Sequence, residues 1–266
     1  MTKPSALKID VKAGILSTVA NSVYSSTSMK IREAISNSLD NHADKCILFF
    51  GNKDVKGQQV PYLSLFDNGN GISEGRFREV LTSIGYGLSR ADENAYSHFG
   101  LGLMSIFKLG KKVTIITKPK GLKGLVQLVV ESSTLFSEET EGKSLSLIEK
   151  LFKLTSGHNI NIRDSLSILS KKTLSKHIGN YNSFTEIIIE GVYEEDIEEI
   201  LTPQFENNLR KYIPLEPNPD DQFFKNLVPA DKNKIFDLYS NKSLFPTVEY
   251  FFGVGRETDI KPLVSG

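Results

Sequence analysis

Between residues 30 and 105 the chain carries three blocks in fixed order, and they constrain its fold more than anything else in its 266 residues. The first, IREAISNSLDNHAD (31–44), has helical periodicity. At about 100° per residue, Glu33, Asn37, Asp40 and Asp44 share one face, with Ile31, Ile35 and Leu39 opposite. That is an amphipathic helix, and its polar face can be read as simply solvated. Asn and Asp are poor helix formers, however, and a solvated face favours Lys and Glu. A hard cation would explain them. Mg²⁺ takes oxygen ligands, keeps several waters and shares phosphate oxygens. The Asn37 side-chain carbonyl is then a candidate ligand. Glu33, one turn earlier, is a candidate to orient or deprotonate a water aimed at a γ-phosphate.

The second block, FDNGNGIS (66–73), ends an apolar run in Asp67 and continues through two Asn-Gly pairs. Asn-Gly commonly closes a β-hairpin. Here no strand resumes: 73–81 reads as a helix, with Ser73 as its cap and Glu74 in its first turn. An Asp at a strand end, followed by glycines that admit a flat ring, suits purine recognition. Its carboxylate would accept from an exocyclic amine such as adenine N6, which favours adenine over guanine. The third block, SHFGLGLMS (97–105), places Gly100 and Gly102 ahead of a helical run, 103–109. Free N–H groups at a helix start favour anions, and glycines let a phosphate chain come close. Taken alone, a Gly-x-Gly is more often a turn.

The order Glu-x-x-x-Asn-x-x-Asp, Asp-Asn-Gly-x-Gly-Ile, Phe-Gly-x-Gly-x-x-Ser resembles the GHKL ATPases: gyrase B, the heat-shock ATPase chaperones, sensor histidine kinases and MutL. Arg32-Glu33 and Ser36-Asn37 look like the chaperone helix, and DNGNG (67–71) looks like the microrchidia branch. The resemblance covers about 7–118, with a return at 184–192. It implies a Bergerat-type fold, a two-layer α/β sandwich with a mixed sheet on one side and helices on the other. It implies ATP and Mg²⁺ as ligands, Glu33 as catalytic base and Asn37 as the Mg²⁺ ligand. Asp67 would read the adenine, flanked by Gly69, Gly71 and Ile72, with Asp40 on the nucleotide side of the helix. Phe99, Gly100, Leu101, Gly102 and Leu103 would supply the phosphate-binding backbone, and Thr185, in SFTEIIIEG, would support the adenine beside Asp67. Three positions depart from the pattern: Ser97 and Phe184 each stand where glycine is usual, and Asn41-His42 replaces Ala-Gly.

Along the rest of the chain, 6–11 reads as a first strand and 14–24 as a helix. In the family such a segment crosses to a partner protomer when ATP binds, so an ATP-dependent homodimer is implied. Strands are expected at 46–50 and 62–66 around a polar turn (53–59), then at 112–117 and 125–130. A glycine-hinged segment within 73–98 resembles the family's ATP lid. Gly142-Lys143-Ser144 mimics the tail of a P-loop, but the motif's first glycine would fall on Ser137, and no strand leads in. The segment 137–153 reads as polar, then helical, 160–177 as strand then helix, and 185–189 as a strand beside Asp67. The acidic run 194–199 reads as a solvated helix start. The ATPase domain is placed at 1–192. Residues 193–266, with prolines at 214, 217 and 219, are expected to form a linker and C-terminal extension that opens a transducer-like second domain.

Composition narrows the partners. Lys+Arg and Asp+Glu are both 32, so no net charge draws the chain to nucleic acid. No apolar run nears the ~18 residues of a membrane span, and no signal peptide is apparent. The single Cys46, in KCILFF, reads as packing and fits a reducing, cytoplasmic setting. The expected function is Mg²⁺-dependent ATP binding and slow hydrolysis used as a conformational switch. A non-hydrolysing ATP sensor or scaffold is the alternative. Histidine phosphotransfer fits less well, because none of the histidines (42, 98, 158, 177) lies on an N-terminal dimerisation helix. Client remodelling, DNA handling and defence against foreign DNA are each compatible with such a cycle.

Overall fold

The computed structural model describes residues 26–82, 102–141, 143, 151–157, 167–213 and 248–263. The expected first strand (6–11), the helix 14–24, the lid beyond residue 82, the P-loop-like Gly142 and Ser144, and the phosphate-loop residues Phe99, Gly100 and Leu101 lie outside these.

Helix α1 (Thr27–Asp40) starts where Ser26, extended at φ −134°, accepts the Met29 N–H on its hydroxyl. It buries Ile31, Ile35 and Leu39 as the periodicity demands. It ends earlier than the expected 44. Asn41 donates both its backbone N–H and its Nδ2 to the Asn37 carbonyl, and His42 turns left-handed at φ 56°. Asp44 therefore leaves the Glu33 face, and its N–H instead donates to Asn68 Oδ1 at 2.9 Å.

Strands β1 (Lys45–Val55) and β2 (Gln58–Asp67) form a hairpin closed by Lys56 and Gly57 alone. Both have positive φ (55° and 82°), the backbone of a primed turn that follows the strand twist. The turn is thus tighter than the expected 53–59. Helix α2 (Glu74–Thr82) follows β2, with Ser73 Oγ accepting the Arg76 N–H as its cap. Then come α3 (Gly102–Phe107), β3 (Gly110–Lys118), β4 (Leu125–Val130), the short helices α4 (Ser132–Leu135) and α5 (Glu138–Glu141), and β5 (Phe152–Gly157). Residues 152 and 153, expected to be helical, are already strand. The described chain continues through α6 (Lys171–His177), β6 (Phe184–Val192), α7 (Glu194–Ile200), α8 (Pro203–Tyr212), β7 (Glu249–Val254) and β8 (Lys261–Leu263).

Among the described residues the strands make one mixed sheet in the order β5-β4-β3-β6-β2-β1-β7-β8, parallel only between β1 and β7. Residues from the stretch assigned to the C-terminal extension thus return to the sheet as β7 and β8. Alternation along each strand separates two cores. On the first face Leu48, Leu65, Ile115 and Ile187 pack with α1 and α3, and α8 adds Phe205 and Leu209. This is the expected α/β sandwich. The opposite face adds something the sequence did not suggest. Ile47, Phe66, Ile116 and Ile188 are covered by Leu169, Leu174 and Ile178, from α6 and its flanks.

Candidate functional site

Register builds the site. Asp67 is the last residue of β2 and pairs with Thr185 of β6, which pairs in turn with Thr117 of β3. On its other side Asp67 pairs with Cys46 of β1, and Cys46 with Tyr250 of β7. Five side chains thus form one row across five strands, on the helix-bearing face. Each is at least nine-tenths buried, and Asp67 is 2 % exposed.

Asp67 uses both carboxylate oxygens within the protein. Oδ2 accepts from Ser38 Oγ on α1 at 2.9 Å, and Oδ1 from the Gly69 N–H at 2.9 Å. Each oxygen retains further acceptor capacity. Burial pushes the Asp67 carboxyl up to about 6, against the downward pull of those two hydrogen bonds. Burial also raises the neighbouring Cys46 thiol, and the Asp67 charge adds to this, so Cys46 behaves as packing. Burial raises the Tyr250 hydroxyl well above its ordinary value too, with Cys46 and Asp67 contributing. That hydroxyl makes no hydrogen bond among the described residues.

Thr117 ties the row together. Its Oγ1 donates to the Phe184 carbonyl at 2.8 Å and accepts the Ile72 N–H at 2.7 Å, and it lies 3.5 Å from Thr185 Oγ1. Phe184, which departs from the family pattern, turns its ring to the opposite face. There it stacks on Phe66 at 5.4 Å, so its bulk does not enter the row.

The turn after Asp67 is pinned at several points. Asn68 Oδ1 accepts the N–H groups of Asp44 and Lys45, while the Asn70 N–H donates to the Asn41 carbonyl at 2.7 Å. The Lys120 N–H donates to the Asn70 carbonyl at 2.7 Å. Two of the glycines are sterically required. A Cβ on Gly69 would come within 2.7 Å of the Asn41 carbonyl oxygen, and one on Gly71, at φ +70°, within 2.4 Å of the Lys118 carbonyl oxygen. Asn41, the first of the unusual Asn41-His42 pair, therefore joins the end of α1 to the Asp67 turn.

Helix α1 carries the remaining candidates one turn apart: Glu33, 7 % exposed, then Asn37 and Asp40, both half-buried. Gly102 opens α3, and Leu103 packs half-buried against the main core. Phe99, Gly100 and Leu101 fall outside the described residues, so the phosphate-loop placement rests on sequence. Sequence reasoning did not single out Ser38, Thr117 or Tyr250. Ser38 had a local signal, a small hydroxyl beside Asn37 on a helix already marked. Thr117 and Tyr250 had none, because only strand register brings them to Asp67.

The described residues hold no group of three His, Cys, Asp or Glu side chains able to bind a metal. A lone amide oxygen at Asn37 suits a Mg²⁺ that takes most of its ligands from phosphates and water.

A mixed sheet with its main helical layer over one face, and a buried carboxylate set on a glycine turn, has the architecture of a Bergerat-type nucleotide-binding domain. The family model for the histidine kinase-, DNA gyrase B- and HSP90-like ATPases matches residues 24–158, just over half of the chain, and the chain belongs to that family. Membership makes this an ATP-binding domain of the ATPase class. Thr185, α7 and β7 lie beyond the matched residues. No curated protein matches the chain. Among the described residues no helix is long and apolar enough to cross a membrane.

Proposed function

We propose that this domain binds ATP with Mg²⁺, hydrolyses it slowly and uses the cycle as a conformational switch. The observation that carries the reading is Asp67: a buried carboxylate in register with Thr185 and bound to the helix that bears Glu33 and Asn37. In this reading Asp67 accepts from the adenine amine. Thr185 and Thr117 support that edge, while Gly69, Gly71 and Ile72 line the base. Asp40 lies on the nucleotide side of α1. Asn37 would offer its carbonyl to Mg²⁺, which would supply neutralisation of phosphate charge when bound. Glu33 holds a water in line with the γ-phosphate and takes its proton. The sequence resemblance assigns the backbone amides of 99–103 to the phosphates.

The test is a calorimetric titration with ATP, followed by single-turnover hydrolysis with enzyme in excess. Binding with slow turnover supports the reading. Binding without turnover makes the domain an ATP sensor. Its switch state is an ATP-dependent two-fold dimer, which light scattering with a non-hydrolysable analogue detects as a doubled mass. An unchanged mass with binding shown in parallel removes the dimer.

A further inference from the structure

Helix α1 is clamped at both ends, and the clamp at its N-terminus comes from the acidic run 194–199. The first N–H groups of a helix lack intrahelical partners. Ser26 Oγ takes that of Met29 at 3.3 Å. Glu199 of α7 takes two more: its Oε2 accepts the Thr27 N–H at 2.9 Å and its Oε1 the Ser28 N–H at 3.0 Å. Asp196, one turn earlier, accepts on Oδ1 from Thr27 Oγ1 at 2.6 Å and from Lys30 Nζ at 3.0 Å. This second contact is almost dry, with the Asp196 and Lys30 side chains 2 % and 14 % exposed. Burial would push the Glu199 carboxyl up, but the hydrogen bonds from Thr27 and Ser28 outweigh it and hold the group below its ordinary value. A negative charge also complements the positive end of the helix dipole. The expectation of a merely solvated acidic patch is therefore corrected: two of its carboxylates are structural ligands of α1.

Their placement matters for chemistry. Helix α7 follows directly on β6, the strand of Thr185, and the Tyr193 N–H between them donates to the Leu109 carbonyl at 3.2 Å. At its other end α1 is fixed to the base site through Ser38–Asp67 and Asn41–Asn70. Glu33 stands between the two clamps, about 9 Å along the axis from Thr27. We propose that Glu199 and Asp196 are positioning residues of the ATPase, a latch that sets the axial register of α1 and so the aim of Glu33 at the attacking water. The inference rests on the ATPase reading above. It predicts that releasing the latch impairs the chemical step and spares base recognition, since Asp67, Thr185 and Thr117 are carried by strands.

The experiment compares the full chain with Glu199→Ala, Glu199→Gln and Asp196→Asn. Each is assayed for single-turnover hydrolysis, ATP affinity by calorimetry, and amide hydrogen exchange in α1. Glu199→Ala is expected to slow the chemical step at least about tenfold, since small misplacements cost that much or more. Its ATP Kd should stay within about threefold, with faster exchange at Thr27 and Ser28. Glu199→Gln keeps one acceptor and should recover part of the rate, and Asp196→Asn should fall between. A folded Glu199→Ala with the wild-type rate overturns the latch, as does one whose affinity and rate fall together. Should Glu199→Ala not fold, Glu199→Gln decides: a wild-type rate overturns the proposal, and a slowed rate at retained affinity supports it. If the wild-type protein binds ATP and never hydrolyses it, the ATPase reading falls and takes the latch's catalytic role with it. Glu33→Ala is then equally silent, which separates that failure from failure of the latch alone.

Discussion

Asp67 and Glu186 are two buried carboxyls on adjacent strands of one sheet, and they face opposite ways. Asp67 looks into the helix-bearing face and Glu186 into the face covered by α6, where it packs at 0 % exposure. Burial raises both, Asp67 to about 6 and Glu186 to about 7. Their surroundings differ. Asp67 accepts on both oxygens and sits on a turn whose glycines are sterically required. Glu186 accepts on Oε1 from Ser64 Oγ at 3.0 Å and from the Ile168 N–H at 3.3 Å, while Oε2 has no partner among the described residues. A perturbed acidity therefore does not mark the site by itself. What sets Asp67 apart is its contact with the helix of Glu33 and Asn37, and a turn pinned so closely that Gly69 and Gly71 leave no room for a Cβ.

The comparison breaks most easily at Asp67 itself. In Asp67→Asn the amide must turn its oxygen to the Gly69 N–H, which can only donate. That puts the NH₂ at the Oδ2 position, where Ser38 can respond by donating to the Ala34 carbonyl, 3.4 Å away. The fold keeps its bonds, but an acceptor is lost and a donor is gained beside the adenine amine. ATP affinity should fall roughly 10²-fold or more, because a polar site left mismatched rejects its ligand strongly. Calorimetry checks this, and wild-type affinity would place base recognition elsewhere. Glu33→Ala sharpens the contrast from the other side. Binding should persist while single-turnover hydrolysis drops about 10²- to 10⁴-fold, the usual contribution of a general base. A wild-type rate would remove Glu33 from that role.

A third prediction uses the proton. In the proposed reading adenine binding needs Asp67 as an acceptor, so affinity should be flat above about pH 6 and fall up to about tenfold per unit below it. Adenosine is the right probe, because phosphates titrate in the same range. The same carboxyl acts on stability with the opposite sign. The folded chain holds this proton more tightly than the unfolded one, whose value is near 3.8. Its contribution to stability is therefore complete below about pH 4 and lost as pH rises through about 6. An adenosine affinity that is level from pH 5 to 7 would contradict the assignment.

What could be seen in the sequence was local. Ile31, Ile35 and Leu39 declare α1 by spacing, and Asp67-Asn-Gly-Asn-Gly declares its turn because Gly69 and Gly71 leave no room for a Cβ. Hidden were the features fixed by long-range pairing. Thr117 reaches Thr185 only through the β3–β6 register. Glu199 finds the amide of Thr27 across 172 residues of chain, so an acidic run with no local partner reads as solvated. The early end of α1 depends on Asn41 capping the helix, and a periodicity argument continues past it to Asp44. Phe184 stands out in the sequence as a departure from the family pattern, because nothing local says that its ring stacks on Phe66 behind the sheet.

Glu186→Gln should give the smallest effect on function and completes the comparison. Gln is close in shape, can still accept from Ser64 Oγ and the Ile168 N–H, and removes a proton equilibrium. In the wild-type protein Glu186 holds its proton more tightly when folded, at about 7 against an ordinary 4.5. Its contribution is complete below about pH 4.5 and lost as pH rises through about 7, a loss of up to about 3 kcal/mol. The variant carries no such dependence. Relative to wild type it should gain stability between pH 5 and 8, measured by denaturant unfolding at each pH, and its ATP affinity and turnover should not change. If affinity shifts as it does on altering Asp67, the two faces of the sheet are coupled and the contrast drawn here between the carboxyls fails. If stability shows no pH-dependent difference between wild type and variant, Glu186 does not carry the buried proton equilibrium that its surroundings imply.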